Sequence, residues 1–120
     1  MQSASGRIQL PPAPNLTSEE VHNLLAAAQA GDAAAREELI EANLRLAMSI
    51  AQRFSGRGEL DDLFQVACIG LVKAIDNFNL SYDVQFSTYA VPVIMGEIRR
   101  FLREESSIKL GRSLREKAAA

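Results

Sequence analysis

DDLFQVACIGLVKAIDNFN, residues 61–79, is the stretch whose reading decides the fold. Leu63, Phe64, Val66, Ala67, Ile69, Leu71, Val72, Ala74, Ile75 and Phe78 cover most of the circumference of a helix. Only Asp61, Asp62, Gln65, Lys73 and Asp76 are strongly polar. Asp61 or Asp62 is placed to cap its start. A helix apolar nearly all round is buried on several sides. In a chain of 120 residues, one of those sides can be an intermolecular surface. The other reading is a central helix wrapped by its own neighbours. The two are compatible along one helix, and the sequence leaves both open.

After a polar connection, Asn77 to Gln85, comes FSTYAVPVIMGEIRRFLRE, residues 86–104. Helix is expected to restart here with Ser87 or Thr88 as cap, and Pro92 falls near the end of the first turn. There it costs one backbone bond or a slight kink. Ile94, Ile98, Phe101 and Leu102 make a stripe for burial. Arg99 and Arg103 are four apart and share a face, with Arg100 adjacent. Gly96 leaves a gap on that surface where another backbone can approach. An arginine cluster of this kind is usually a solvated face, and contact with DNA is the less common reading.

Working back toward the start, Asn43 to Phe54 continues as helix, with Leu44, Ala47, Met48, Ala51 and Phe54 at core spacing. Ser55-Gly56-Arg57-Gly58 breaks it. Neither glycine has phosphate-loop spacing, so no nucleotide site is assigned. Thr17 with Glu20 three residues on is a capping box that opens a helix carrying Val21, Leu24, Leu25 and Ala28. Gly31 ends that helix and Asp32 caps a second, through Leu39 and Ile40. Residues 1–16 hold Pro11, Pro12 and Pro14 and read as a flexible arm. Beyond residue 105, Ser106 and Ser107 mark a helix end. Residues 108–113 are expected to be extended and basic, and Ser113 to cap a further helix. The pattern runs on to Ala120, as expected of a piece of a longer protein.

Composition is ordinary for a globular chain, 48% hydrophobic and 23% charged, which argues against global disorder. No apolar run is long enough for a membrane span and no secretory signal opens the chain. The single cysteine, Cys68, forms no internal disulfide and fits a cytoplasmic setting. The net charge of −2 hides a partition. Residues 1–93 hold six basic and eleven acidic side chains, while residues 94–120 hold seven basic and four acidic. An acidic chain with one basic end suits a protein that meets nucleic acid there and another partner elsewhere. One histidine, His22, and one cysteine supply no metal-ligand spacing and no catalytic set. No catalytic residue, cofactor or metal is assigned, and an enzyme is not expected.

The residues resemble the N-terminal part of a bacterial RNA polymerase sigma factor. NLRLAMSIAQRF (43–54) is similar to region 2.1 of that family, and DDLFQVACIGLVKAIDNFN (61–79) to region 2.2. FSTYAVPVIMGEIRRFLRE (86–104) is similar to regions 2.3 and 2.4. Residues 17–42 resemble the preceding helices, and SIKLGRSLRE (107–116) the entry to region 3. Within the family the wording is most similar to sporulation sigma factors of the sigma-F and sigma-G type, with a lean to sigma-G.

The resemblance implies an all-α fold. This is a compact bundle of about five helices at 17–105, with the arm at 1–16 before it and the truncated start of region 3 at 106–120. It implies docking on the β′ coiled coil of core RNA polymerase through Asp62, Leu63, Gln65, Val66, Ile69 and Val72. It places Phe78, Phe86, Thr88 and Tyr89 near the melted strand of the promoter −10 element, where aromatic faces stack on unpaired bases. Gly96, Arg99, Arg100 and Arg103 would face DNA. An anti-sigma factor is an expected partner, and a membrane is not. One departure stands out: Pro92 and Val93 occupy the place of a tryptophan pair in housekeeping members, and this chain has no Trp. Weaker melting is expected. Two other readings remain: a helical module that binds a regulator without touching DNA, and a free-standing helix-turn-helix repressor. The first leaves the arginines without a role. The second sits badly with the acidic N-terminal three quarters.

Overall fold

The computed structural model describes residue 10 and residues 15–119, so the expected arm at 1–16 lies mostly outside the described residues. Five α-helices follow in order: α1 (Ser18–Gln29), α2 (Ala33–Ala42), α3 (Leu44–Gln52), α4 (Leu60–Asn77) and α5 (Phe86–Ala119). A short 3-10 turn, Ser55–Arg57, sits between α3 and α4. The all-α bundle expected from the sequence is the architecture found. Among the described residues no helix is long and apolar enough to cross a membrane.

Local chemistry sets the first boundaries. Thr17 Oγ1 accepts from the Glu20 N–H at 3.1 Å, and Glu20 Oε1 accepts from the Thr17 N–H at 2.9 Å. This is the reciprocal capping box that satisfies orphan donors at a helix start. Gly31 holds φ +107°, a left-handed conformation that ends α1 and that a Cβ would disfavour. Asp32 Oδ1 then accepts from the Ala34 and Ala35 N–H groups and opens α2. Asn43 separates α2 from α3, with φ −117° and its Nδ2 donating to Leu39 O at 2.8 Å.

α4 and α5 run antiparallel and form the centre. Leu63, Ala67, Leu71, Ala74 and Ile75 from α4 are buried with Ala90, Ile94, Ile98 and Leu102 from α5. Leu25, Leu39, Ala47, Ile50 and Ala51 from the first three helices close the core. No polar or charged residue is buried among the described residues. Gly70 is what brings the two long helices together. A Cβ there would lie 2.9 Å from the Ile94 Cα, inside any real contact distance. At the far end of α4, Gln29 Nε2 donates to Ile75 O at 3.0 Å and to Phe78 O at 2.8 Å. A side chain of α1 thus caps the carbonyl end of α4, whose last carbonyls have no helical partner.

Four sequence expectations change. α4 starts at Leu60 with Glu59 as N-cap, without a side-chain cap bond, so neither Asp61 nor Asp62 is the cap. Both lie in the first turn, where the positive end of the helix favours carboxylates. α5 starts at Phe86, with the Thr88 N–H donating to Gln85 O, so Ser87 and Thr88 sit inside the first turn. Pro92 falls one turn further in than expected, and the helix passes through it. Finally, α5 does not stop at Ser106 and Ser107, and residues 108–113 are helical. Serine and glycine lower helix propensity by only about 0.5–1 kcal/mol each, and no proline follows Pro92 in the sequence. Nothing there forces a break.

Candidate docking and nucleic-acid faces

The outer side of α4 carries the first face. Asp62, Gln65 and Ile69 are exposed, and Val66 and Val72 are half-buried. Their spacing of three and four residues lines them up along one side of the helix. Ile69 is 51% exposed, an apolar side chain held out in water at the middle of the stripe. Leu63 amends the expected set: it is completely buried and presents no surface. It packs beside Gly58 and below Leu102, anchoring the start of α4 from within. Cys68 is half-buried, and that burial pushes its thiol above the ordinary value.

The second face lies on α5. Gly96, Arg99, Arg100 and Arg103 are all exposed and share one stripe by their spacing. The space above Gly96 is open, with nothing within 4 Å of where a Cβ would stand, so packing inside the chain does not demand glycine here. Among the described residues Arg99 and Arg103 make no ion pair. Arg100 differs: its Nη2 donates to Glu97 Oε1 at 3.0 Å. The other oxygen, Glu97 Oε2, accepts from Lys73 Nζ of α4 at 2.9 Å. Sequence reasoning missed this three-residue link. The cue was a lone Lys on the apolar α4 and a lone Glu among the arginines.

The aromatic residues do not stand out as a stacking platform. Phe78 and Phe86 are buried, 4% and 6% exposed, and meet edge to face with ring centres 5.7 Å apart. Phe78 meets Tyr89 in the same way at 5.5 Å. Tyr89 is half-buried and Thr88 exposed, so these two form the accessible part of the set. Phe78 backs Tyr89, and Phe86 in turn backs Phe78, so neither phenylalanine offers its own face. A supported ring of this kind is stiff, which lowers the entropy lost on stacking.

Beside this cluster opens a cleft of about 610 Å³. Its walls include Ser18, Glu19 and His22 of α1, Asn43 at the α2–α3 junction, the loop residues Tyr82, Asp83, Val84 and Gln85, and Ser87 of α5. Phe78 and Phe86 form its floor side. Its lining is mixed, with the apolar Leu16, Val21, Leu25 and Ala42 beside these polar groups. Tyr82 and Val84 are largely exposed at its edge. No sequence signal marked this cleft, because its walls come from segments some sixty residues apart.

The five-helix bundle thus presents two unlike faces on its two long helices, one with Ile69 held out in water on α4 and one of exposed arginines on α5. Residues 39–108 match the family described as sigma-70 region 2. The chain belongs to that family. It is 57% identical over 104 residues to a protein of Bacillus thuringiensis subsp. kurstaki provisionally named RNA polymerase sigma-G factor, covering 86% of this chain and 83% of that one. It is 58% identical over 105 residues to the RNA polymerase sigma-G factor of Bacillus subtilis, covering 86% of this chain and 40% of that one. With the sigma-F factor of Bacillus subtilis the identity is 56% over 102 residues, with coverage of 84% and 40%. The chain thus spans about two fifths of the length of these last two relatives.

Proposed function

We propose that this chain is the part of an alternative, sporulation-type RNA polymerase sigma factor that binds core polymerase and recognises and melts the promoter −10 element. The observation that carries the reading is the pairing of two unlike stripes on adjacent antiparallel helices. On α4 an apolar and acidic stripe centred on Ile69 is exposed, and on α5 a basic stripe of Arg99, Arg100 and Arg103 is exposed. Identity to sigma-G and sigma-F factors supports the subgroup.

In this reading Asp62, Gln65, Val66, Ile69 and Val72 meet the β′ coiled coil, with Leu63 holding the helix in place. Apolar contact supplies affinity there, at about 25 cal/mol per Å² buried before association costs. Thr88 and Tyr89 meet the displaced strand, with the half-buried Tyr89 ring as the place for an unpaired base to stack. Base–aromatic stacking contributes about 1–3 kcal/mol per base. Gly96, Arg99, Arg100 and Arg103 lie against the duplex edge. The protein works by binding, with no catalytic residue of its own, in the cytoplasm. An anti-sigma factor would compete for the α4 face. Residues 17–105 form the working domain, and 106–120 lead toward region 3.

The test is capture of a single-stranded oligonucleotide carrying a −10 sequence. Core polymerase alone should ignore it. Core polymerase with the chain should bind it and reject a scrambled strand. Equal capture of both strands would contradict the reading. The interaction-only reading finds no support in the structure, because it leaves the α5 arginine stripe without a role.

A further inference from the structure

Glu97 stands out among the charged groups because two cations from two helices share it. Its side chain is only 14% exposed, while Lys73 and Arg100 remain 44% and 52% exposed. One carboxylate oxygen accepts from Lys73 Nζ at 2.9 Å and the other from Arg100 Nη2 at 3.0 Å. Its stem runs over Gly70, where a Cβ would lie 3.2 Å from the Glu97 Cγ. The same glycine that lets α4 and α5 approach therefore leaves the slot in which Glu97 rests.

An exposed pair three residues apart on a helix holds an arginine loosely. This one is different, because the acid is itself held by a second helix and by the slot beneath it. We infer that Glu97 is a positioning residue that fixes the Arg100 guanidinium, so that Arg100 reads a base edge while Arg99 and Arg103 serve as phosphate tethers. The inference rests on the promoter reading above. A guanidinium carries five N–H donors in a planar fork. Spending one on Glu97 leaves the fork oriented and still able to bond two acceptors of a guanine in the major groove. Arg99 and Arg103, unpaired among the described residues, keep the rotamer freedom that suits phosphate contact without base choice. Glu97 also repels phosphate, which penalises registers that bring the backbone over it. Base preference and electrostatic affinity are then assigned to different residues of one stripe.

The test uses core polymerase reconstituted with the chain and fork-junction promoter DNA, with each of the four base pairs placed in turn at the duplex edge upstream of the −10 element. The wild-type protein should prefer one base pair, with guanine in it, by about tenfold or more. Glu97→Gln, close in shape but neutral, should reduce that preference to within about twofold. Affinity for all four templates should stay level or rise at low salt, since a negative charge has been removed beside phosphate. Arg100→Ala should flatten the preference equally, and the double variant should add nothing further. Arg99→Ala and Arg103→Ala should weaken all four templates in parallel and lower the salt dependence. Lys73→Gln, which keeps Glu97 and removes only its second anchor, should flatten the preference in part, and thermal melts of each variant check the fold. A preference unchanged in Glu97→Gln, or a parallel loss on all four templates, overturns the inference, as does a wild type without preference at the fork. A wild type that does not bind the fork at all overturns the promoter reading itself.

Discussion

Gly70 on α4 and Ile94 on α5 are in backbone contact: a Cβ at residue 70 would lie 2.9 Å from the Ile94 Cα. The obstacle is a main-chain atom in the middle of a long helix, not the end of a flexible side chain. Gly70→Ala gains about 1 kcal/mol of helix propensity but must push the two helices apart. Overpacking of this kind costs about 1–3 kcal/mol, so after the propensity gain the expected net outcome is a loss of up to about 2 kcal/mol in a urea titration. A stabilised Gly70→Ala protein would contradict the close approach.

Gln29 ties α1 to the end of α4 through Ile75 O and Phe78 O. Gln29→Ala leaves both carbonyls to find water and should cost about 1–2 kcal/mol. The loss should be local, so amide exchange should quicken first in the last turn of α4 and around Phe78. Quickening confined to α1 would show that the bond does not hold α4.

Legibility followed locality. The Thr17–Glu20 box, Gly31 and Asp32 each act within three or four residues, and the sequence displays them outright. Gln29, Gly70 and Glu97 act on partners 24 to 49 residues away, and no local pattern announces such a role. The resemblance puts Leu63 in the docking set, yet it is completely buried, and a helix apolar on nearly every side offers no periodicity to mark its outer face. The resemblance implies a place near the melted strand for Phe78 and Phe86, while their size and apolarity bury both in the core. The continuation of α5 past Ser107 went unread because residues that favour helix ends do not compel one.

Burial holds the Cys68 thiol above its ordinary range, so the protonated form is favoured in the folded chain. The stabilisation this provides is present below the unfolded-state value and is lost as pH rises through the folded one. Iodoacetamide at about pH 8.5, near the ordinary thiol value, should therefore label the folded protein more slowly than the urea-unfolded chain. Equal rates would mean the thiol is solvated.

In the promoter reading proposed above, the exposed Pro92 and half-buried Val93 offer no large ring to wedge the duplex. A promoter already open over the −10 element should be bound disproportionately better than the closed duplex by the polymerase complex. Equal binding of closed and pre-opened templates would contradict this account of melting.

The central claim is that the exposed stripe of α4 docks on core polymerase, and Gln65 tests it most directly. Gln65 is exposed, so Gln65→Arg disturbs no internal packing. In the complex, the longer charged side chain would be desolvated and crowded against the partner, a cost that pairing with Asp62 three residues before it does not offset. The measurement is co-elution of the chain with core RNA polymerase on a sizing column, wild type against Gln65→Arg, with helicity checked by circular dichroism. The account predicts that the wild type co-elutes and that Gln65→Arg elutes alone with unchanged helicity. Co-elution of both to the same extent, or of neither, would contradict it.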